Sequence, residues 1–229
     1  PTCSMEPMER ELEIFGKPFS VKQDFSGELG ATVWDAALVL LKYLENIQEF
    51  PYPEFWNGKS IIDIGSGTGV IGIACALLST GIQGTHVTLT DRAPLLDLLR
   101  YNAHTLNLIP TSRLAVKELE WGNALPKADG TPEKFDIVLL SDVVTKAYSE
   151  FYPGLIKTMK DVSKDNSRII LAYELRDPSD RQFFDQLAKA GFWFNKVSDD
   201  KLDPDFTAED IGIFEITKQP ADVAPTNAQ

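Results

Sequence analysis

The chain has 229 residues, enough for one domain with a large core, and its 34 acidic against 22 basic residues leave a net charge of −12. A surface of that sign repels phosphate backbones and argues against a nucleic-acid substrate. Its two cysteines make neither a disulfide framework nor a zinc site, no metal centre is expected, and the apolar runs are too short for a membrane span. With no signal-peptide pattern at the N-terminus, the expectation is a soluble cytoplasmic protein.

Residues 1–10 are polar and read as loose, with Cys3 in that tail. Residues 14–24 alternate apolar positions (Ile14, Phe19, Val21) and suit a small strand or hairpin ahead of the core. After a loop over 26–30, residues 31–45 read as an amphipathic helix with Trp34, Leu38, Leu41 and Tyr43 near its apolar side. Trp34 fits two roles, a core tryptophan or a wall of a ligand pocket. Pro51, Pro53 and Gly58 mark the loop leading to the next unit.

Residues 59–72 are the most informative stretch. Ile61, Ile62 and Ile64, broken only by Asp63, suit a buried strand of a parallel sheet. Gly65, Gly67 and Gly69 then turn the chain, and residues 70–78 read as a buried helix containing Cys75. Strand, glycine turn and helix start make a nucleotide site, because glycines admit a close backbone approach and the helix start offers free N–H donors. Counted from the strand's end, the sixth position of the dinucleotide fingerprint is Val70 where glycine or alanine is needed. The pattern is instead Asp63-x-Gly-x-Gly-x-Gly69. A carboxylate there repels a pyrophosphate but can receive the ammonium of an amino-acid ligand such as S-adenosyl-L-methionine. On this stretch alone, a nicotinamide cofactor remains the competing reading.

A turn over 81–84 precedes a second strand, 86–90, ending at Asp91, where an acid can accept both hydroxyls of a ribose. Residues 92–108 read as a helix and 114–119 as a third strand, followed directly by Trp121, whose indole either stacks on a base or closes the core. The apolar run 135–142 is a fourth strand, with Asp142 at its carboxyl end, where open α/β sheets place ligands. Asp142 either orients a cationic amine or caps a helix. A helix over 152–162, a fifth strand over 168–173, Glu174 and Arg176 on the ligand side, and a helix over 180–190 follow. Strands at 192–197 and 211–217 are joined too briefly for a crossover and should pair antiparallel.

A parallel α/β sheet closed by an antiparallel hairpin suits the Rossmann-like, seven-stranded S-adenosylmethionine-dependent methyltransferases. Within them, residues 24–218 resemble the family-16 protein-lysine methyltransferases, the methyltransferase-like 21 group. The resemblance is carried by Val33-Trp-Asp-Ala-Ala37, Ile64-Gly-Ser-Gly-Thr-Gly69, Thr88-Leu-Thr-Asp91, Val116-Lys-Glu-Leu-Glu-Trp-Gly122 and the run from Phe135 to Asp142. It implies a methyltransferase domain over 25–218, preceded by an N-terminal extension over 1–24. Residues 219–229, rich in alanine and proline with no apolar period, read as a disordered tail. The resemblance further implies that Trp34, Asp63, Gly65, Ser66, Gly67, Asp91, Arg92, Trp121 and Ser141 hold the cofactor. Asp142 would orient the lysine amine, with Tyr148 or Tyr173 walling its channel and Glu174 and Arg176 docking the partner. The family's acidic-x-x-aromatic motif here reads Asp142-Val-Val-Thr145, so Tyr148 is the candidate to supply the missing ring. The implied partner is a folded protein (a chaperone, an AAA ATPase or a translation elongation factor) met by a monomer. The competing readings are a small-molecule methyltransferase and a silent cofactor-binding protein.

Overall fold

A computed structural model describes residues 8–25, 27–79, 84–105 and 113–219. The expectations placed on Cys3, on 81–83, on 106–108 and on 220–229 lie outside the described residues. Seven strands form one sheet: β3 (Ser60–Ile64), β4 (His86–Asp91), β5 (Leu114–Glu118), β6 (Phe135–Ser141), β7 (Ser163–Glu174), β8 (Phe192–Lys196) and β9 (Ile211–Lys218). Their order is β5-β4-β3-β6-β7-β9-β8, parallel from β5 to β7, with β9 antiparallel to both β7 and β8. β8 and β9 pair antiparallel, as expected.

The central strands are apolar on both sides because both faces are covered. Helices α1 (Asp35–Tyr43) and α2 (Val70–Leu78) share one core with Ile61, Leu89 and Leu139. Helices α4 (Tyr152–Val162) and α5 (Arg181–Lys189) share the other with Ile62, Val138 and Leu171. α3 (Leu96–Thr105) packs beside β5, and no described helix is long and apolar enough to cross a membrane.

Ahead of the sheet, β1 (Met8–Ile14) and β2 (Lys17–Gln23) form a hairpin, so Met8 to Arg10 are paired and not loose. Ile14, Phe19 and Val21 sink into the first core, as their alternation requires. The side chain of Asn102 on α3 bonds the backbone of Lys22 in both directions and donates to Thr68 O at 2.9 Å. The hairpin is thereby tied to the glycine turn.

Two elements differ from the sequence reading. α1 begins at Asp35, because Leu29–Ala31 form a separate 3₁₀ turn and Trp34 is extended (φ −88°, ψ 156°). That extension is fixed by Gln23 Oε1, which accepts from Val33 N–H at 2.8 Å. β7 starts at Ser163, five residues before the apolar run, through an irregular pairing in which Ser167 Oγ donates to Phe135 O. A polar stretch that reads as loop is thus drawn into the sheet edge.

Candidate active site

A cavity of about 580 Å³ opens where β3 and β6 end and the strand order reverses, the place where doubly wound sheets bind ligands. Its floor is the glycine turn. Gly67 has φ +56°, and a Cβ there would lie 2.4 Å from Gly30 O, so the 3₁₀ turn before α1 can rest on the loop only if residue 67 is glycine. Ser66 ties the loop to β4: its Oγ donates to Asp63 O at 2.8 Å and accepts from Thr90 N–H at 2.9 Å.

Two carboxylates stand at the ends of neighbouring strands. Asp63 is 2% exposed and accepts from Gly72 N–H at 3.0 Å, and burial pushes its carboxyl up to about 7. Asp91 accepts from Gly67 N–H and from Arg92 N–H, each at 2.8 Å. Burial raises its pKa above the usual carboxylate range despite those donors. Both line the cavity, as do Trp34, Gly65, Ser66, Gly67, Arg92, Trp121 and Ser141. Ser141 Oγ is buried with no hydrogen-bond partner among the described residues, a donor left for something in the cavity.

The other end of the cavity is aromatic. Trp121 and Tyr148 meet edge to face, centroids 5.7 Å apart at 90°. Residues Lys146–Phe151 form a 3₁₀ helix, in which positions three apart eclipse, so Thr145, Tyr148 and Phe151 share one side and all line the cavity. Burial holds the Tyr148 phenol above its ordinary pKa, leaving a neutral hydroxyl. Phe151, Leu29 and Trp34 are 50%, 51% and 38% exposed and rim the opening.

Asp142 and Arg176 are lining residues too, but paired with each other: both Asp142 oxygens accept from the guanidinium, at 2.8 and 2.7 Å. Asp142 therefore does not present the free carboxylate expected for an incoming amine. Glu174 sits behind, accepting from Arg176 Nη2 at 2.6 Å, and is not a lining residue. Tyr173 is not brought to the site. Its ring is buried against Phe184 and Phe214, because its position in β7 points it to the second core, so it does not wall the channel. Sequence reasoning missed Gly30, whose role appears only through the Gly67 contact. It also missed Phe151, although the three-residue spacing from Asp142 through Thr145 and Tyr148 carried the signal.

Residues 15–190 match the family described as lysine methyltransferase. The chain belongs to that family. It is 35% identical over 223 residues to mouse protein N-lysine methyltransferase METTL21A, covering 91% of each chain. It is 31% identical to EEF1A lysine methyltransferase 3 of Xenopus tropicalis, covering 92% of this chain and 85% of that one. Among solved structures, a Thermus thermophilus 16S rRNA N2 G1207 methyltransferase in complex with AdoMet and guanosine superposes with a TM-score of 0.60. At 14% identity over 96% of this chain and 52% of the other, it shares the fold. S-adenosylmethionine is the methyl donor that goes with this family and fold. The lining suits it: Asp63 for an ammonium, Asp91 for a ribose, Trp121 for a base, and the orphaned Ser141 hydroxyl for one further polar group.

Proposed function

We propose that this chain transfers the methyl group of S-adenosylmethionine to the ε-amine of a lysine on a folded protein. The observation that carries the reading is the paired acids of one cavity. Asp63 and Asp91 end adjacent strands on a glycine floor, an arrangement hostile to a pyrophosphate and suited to an aminoacyl nucleoside. When bound, S-adenosylmethionine supplies an electrophilic methyl on a sulfonium, a good leaving group. The protein's part is positioning. The Gly67 backbone and the Asp63 and Asp91 carboxylates hold the donor end. Thr145, Tyr148 and Phe151 build an acceptor end of low polarity, and such surroundings favour the neutral amine, the form that attacks. The apolar rim of Leu29, Trp34 and Phe151 supports a protein partner, since it gives a folded surface something to bury around the entering side chain. The name of one relative makes elongation factor 1A a candidate substrate; a chaperone or an AAA ATPase remains in the same class. The same reading has the chain acting in the cytoplasm as a monomer on protein and not on nucleic acid, in keeping with its net charge of −12.

The test is to incubate the purified chain with radiolabelled S-adenosylmethionine and an extract from cells that lack it, and to resolve the products on a gel. A labelled protein band that vanishes with Asp91→Ala is expected, and its mass identifies the substrate. Label confined to the small-molecule fraction, or none at all while calorimetry shows cofactor binding, overturns the reading.

A further inference from the structure

Asp142 follows β6 with φ +55°, a left-handed conformation that few L-residues tolerate cheaply. Its side chain is 4% exposed. Besides the two bonds from Arg176, it accepts from Glu174 N–H at 3.3 Å. The Arg176 guanidinium is also gripped by the Glu174 carboxylate, and its carbon lies 5.2 Å from the centroid of the Trp34 ring. Trp34 is itself anchored, its Nε1 donating to Leu29 O at 2.9 Å. The residues that follow β6 and β7 and the one that precedes α1 thus meet at the cavity mouth.

We propose that Asp142 is a positioning residue, which with Glu174 fixes Arg176 across the face of Trp34, and that this guanidinium is the polar wall met by the entering lysine. For the identity of the entering group the inference rests on the methyl-transfer reading above. The rival arrangement has the lysine ammonium displacing Arg176 and taking the carboxylate for itself. The chemistry disfavours it. A guanidinium offers two parallel donors that match both carboxylate oxygens, whereas an ammonium offers a single point charge. Arg176 is also tethered to the same chain, so an incoming competitor works against a high effective concentration. Asp142 therefore acts on the acceptor channel through Arg176, and the two residues with Trp34 form one unit.

The experiment compares Asp142→Asn, Arg176→Gln, Arg176→Lys and the double variant Asp142→Asn/Arg176→Gln in two assays. The first is acrylamide quenching of Trp34 fluorescence, isolated by subtracting the same proteins carrying Trp34→Phe. If Asp142 holds Arg176 over the ring, Asp142→Asn and Arg176→Gln raise Trp34 quenching equally, by about twofold, and the double variant adds nothing, as for residues acting as one unit. The second assay is label transfer to the extract. Each single change and the double change lower it by the same factor, on the order of tenfold for a misplaced wall. Arg176→Lys, with its charge but not its fork, fails to restore it. Calorimetric affinity for S-adenosylhomocysteine stays within about a factor of two, showing folded proteins with an intact donor end.

Unchanged Trp34 quenching in Asp142→Asn overturns the proposal. So does increased transfer in Arg176→Gln, which would mean that Arg176 competes with the amine for the carboxylate. A wild-type protein that binds S-adenosylhomocysteine yet labels nothing counts against the methyl-transfer reading instead, and the quenching assay then decides the positioning role alone.

Discussion

A carboxylate buried where a strand meets a glycine turn works against folding unless a ligand makes use of it, and Asp63 is such a residue. Burial moves its pKa from 3.8 to about 7, so in the free protein near neutrality it is poised between its two forms. On the proposed reading, the cofactor's ammonium faces Asp63 and favours the ionised form. Affinity for S-adenosylhomocysteine should therefore be full above about pH 7 and fall as pH drops below it, by up to about tenfold per unit. The ligand-free protein should show the opposite sign. There the folded state keeps a proton that the unfolded chain releases above 3.8, so Asp63 costs stability as pH rises from about 4 to about 7. Calorimetry and urea unfolding across that range, on wild type and Asp63→Asn, check both slopes. A cofactor affinity of wild type that stays flat between about pH 5.5 and 7 would remove Asp63 from ammonium binding. The sequence could mark this residue because an acid inside an apolar strand is locally conspicuous. It could not mark the Asp142–Arg176 pair, whose partners are 34 residues apart and meet only because β6 and β7 lie side by side.

The strand–turn–α2 element is where local sequence and tertiary packing agree most closely, and glycine substitutions separate the two. Gly67 and Gly130 both have positive φ, +56° and +81°. A methyl group on Gly67 would strike the Gly30 carbonyl, whereas Gly130 has nothing within 4 Å. Gly130→Ala should therefore cost only the backbone strain, about 1 kcal/mol, and leave cofactor affinity alone. Gly67→Ala adds a backbone collision that can be relieved only by pushing the 3₁₀ turn and Trp34 outward. It should lower S-adenosylhomocysteine affinity by at least about tenfold, read by calorimetry, with a stability loss of about 1–3 kcal/mol in urea. Equal effects at both positions would mean that contact with Gly30 does not shape the floor. Elements with a strong local pattern were legible in the same way: β3, β6 and α2 follow from apolar runs rich in Ile, Val and Leu, and α4 from the helical spacing of Leu155, Ile156, Met159 and Val162. The start of α1 was not, because residues 31–34 have helical apolar spacing but Ala31 ends the 3₁₀ turn, and Thr32 and Trp34 are extended on either side of Val33, which Gln23 holds. The early start of β7 was hidden for a related reason, since Ser167 joins the sheet through its hydroxyl and not through an apolar side chain.

At the scale of the whole molecule, the two halves of the sheet are held in register by a polar knot outside the site. Arg168 on β7 reaches Glu215 on β9 at 2.6 Å and Glu49 at 3.3 Å, and its guanidinium covers the Phe50 ring at 4.2 Å. Arg168→Met should strip Glu215 of its ion pair, leaving it the Tyr43 hydroxyl, while Glu49 keeps Lys201. Stability should fall by about 1–3 kcal/mol in urea unfolding, with cofactor affinity preserved. That separates scaffold from site. The net charge of −12 acts at the same scale, but on encounter. If the partner presents its lysine from a basic surface, long-range attraction steers it toward this chain, and salt screens that attraction over about 10 Å at 0.1 M. The initial rate of labelling should then fall several-fold between about 50 and 300 mM sodium chloride, while cofactor affinity changes little because Asp63 and Asp91, proposed to hold it, are buried. A rate indifferent to salt would move the source of recognition from the field of the molecule to the apolar rim formed by Leu29, Trp34 and Phe151. A rate that rises with salt would point to an acidic partner that this surface must be screened to approach.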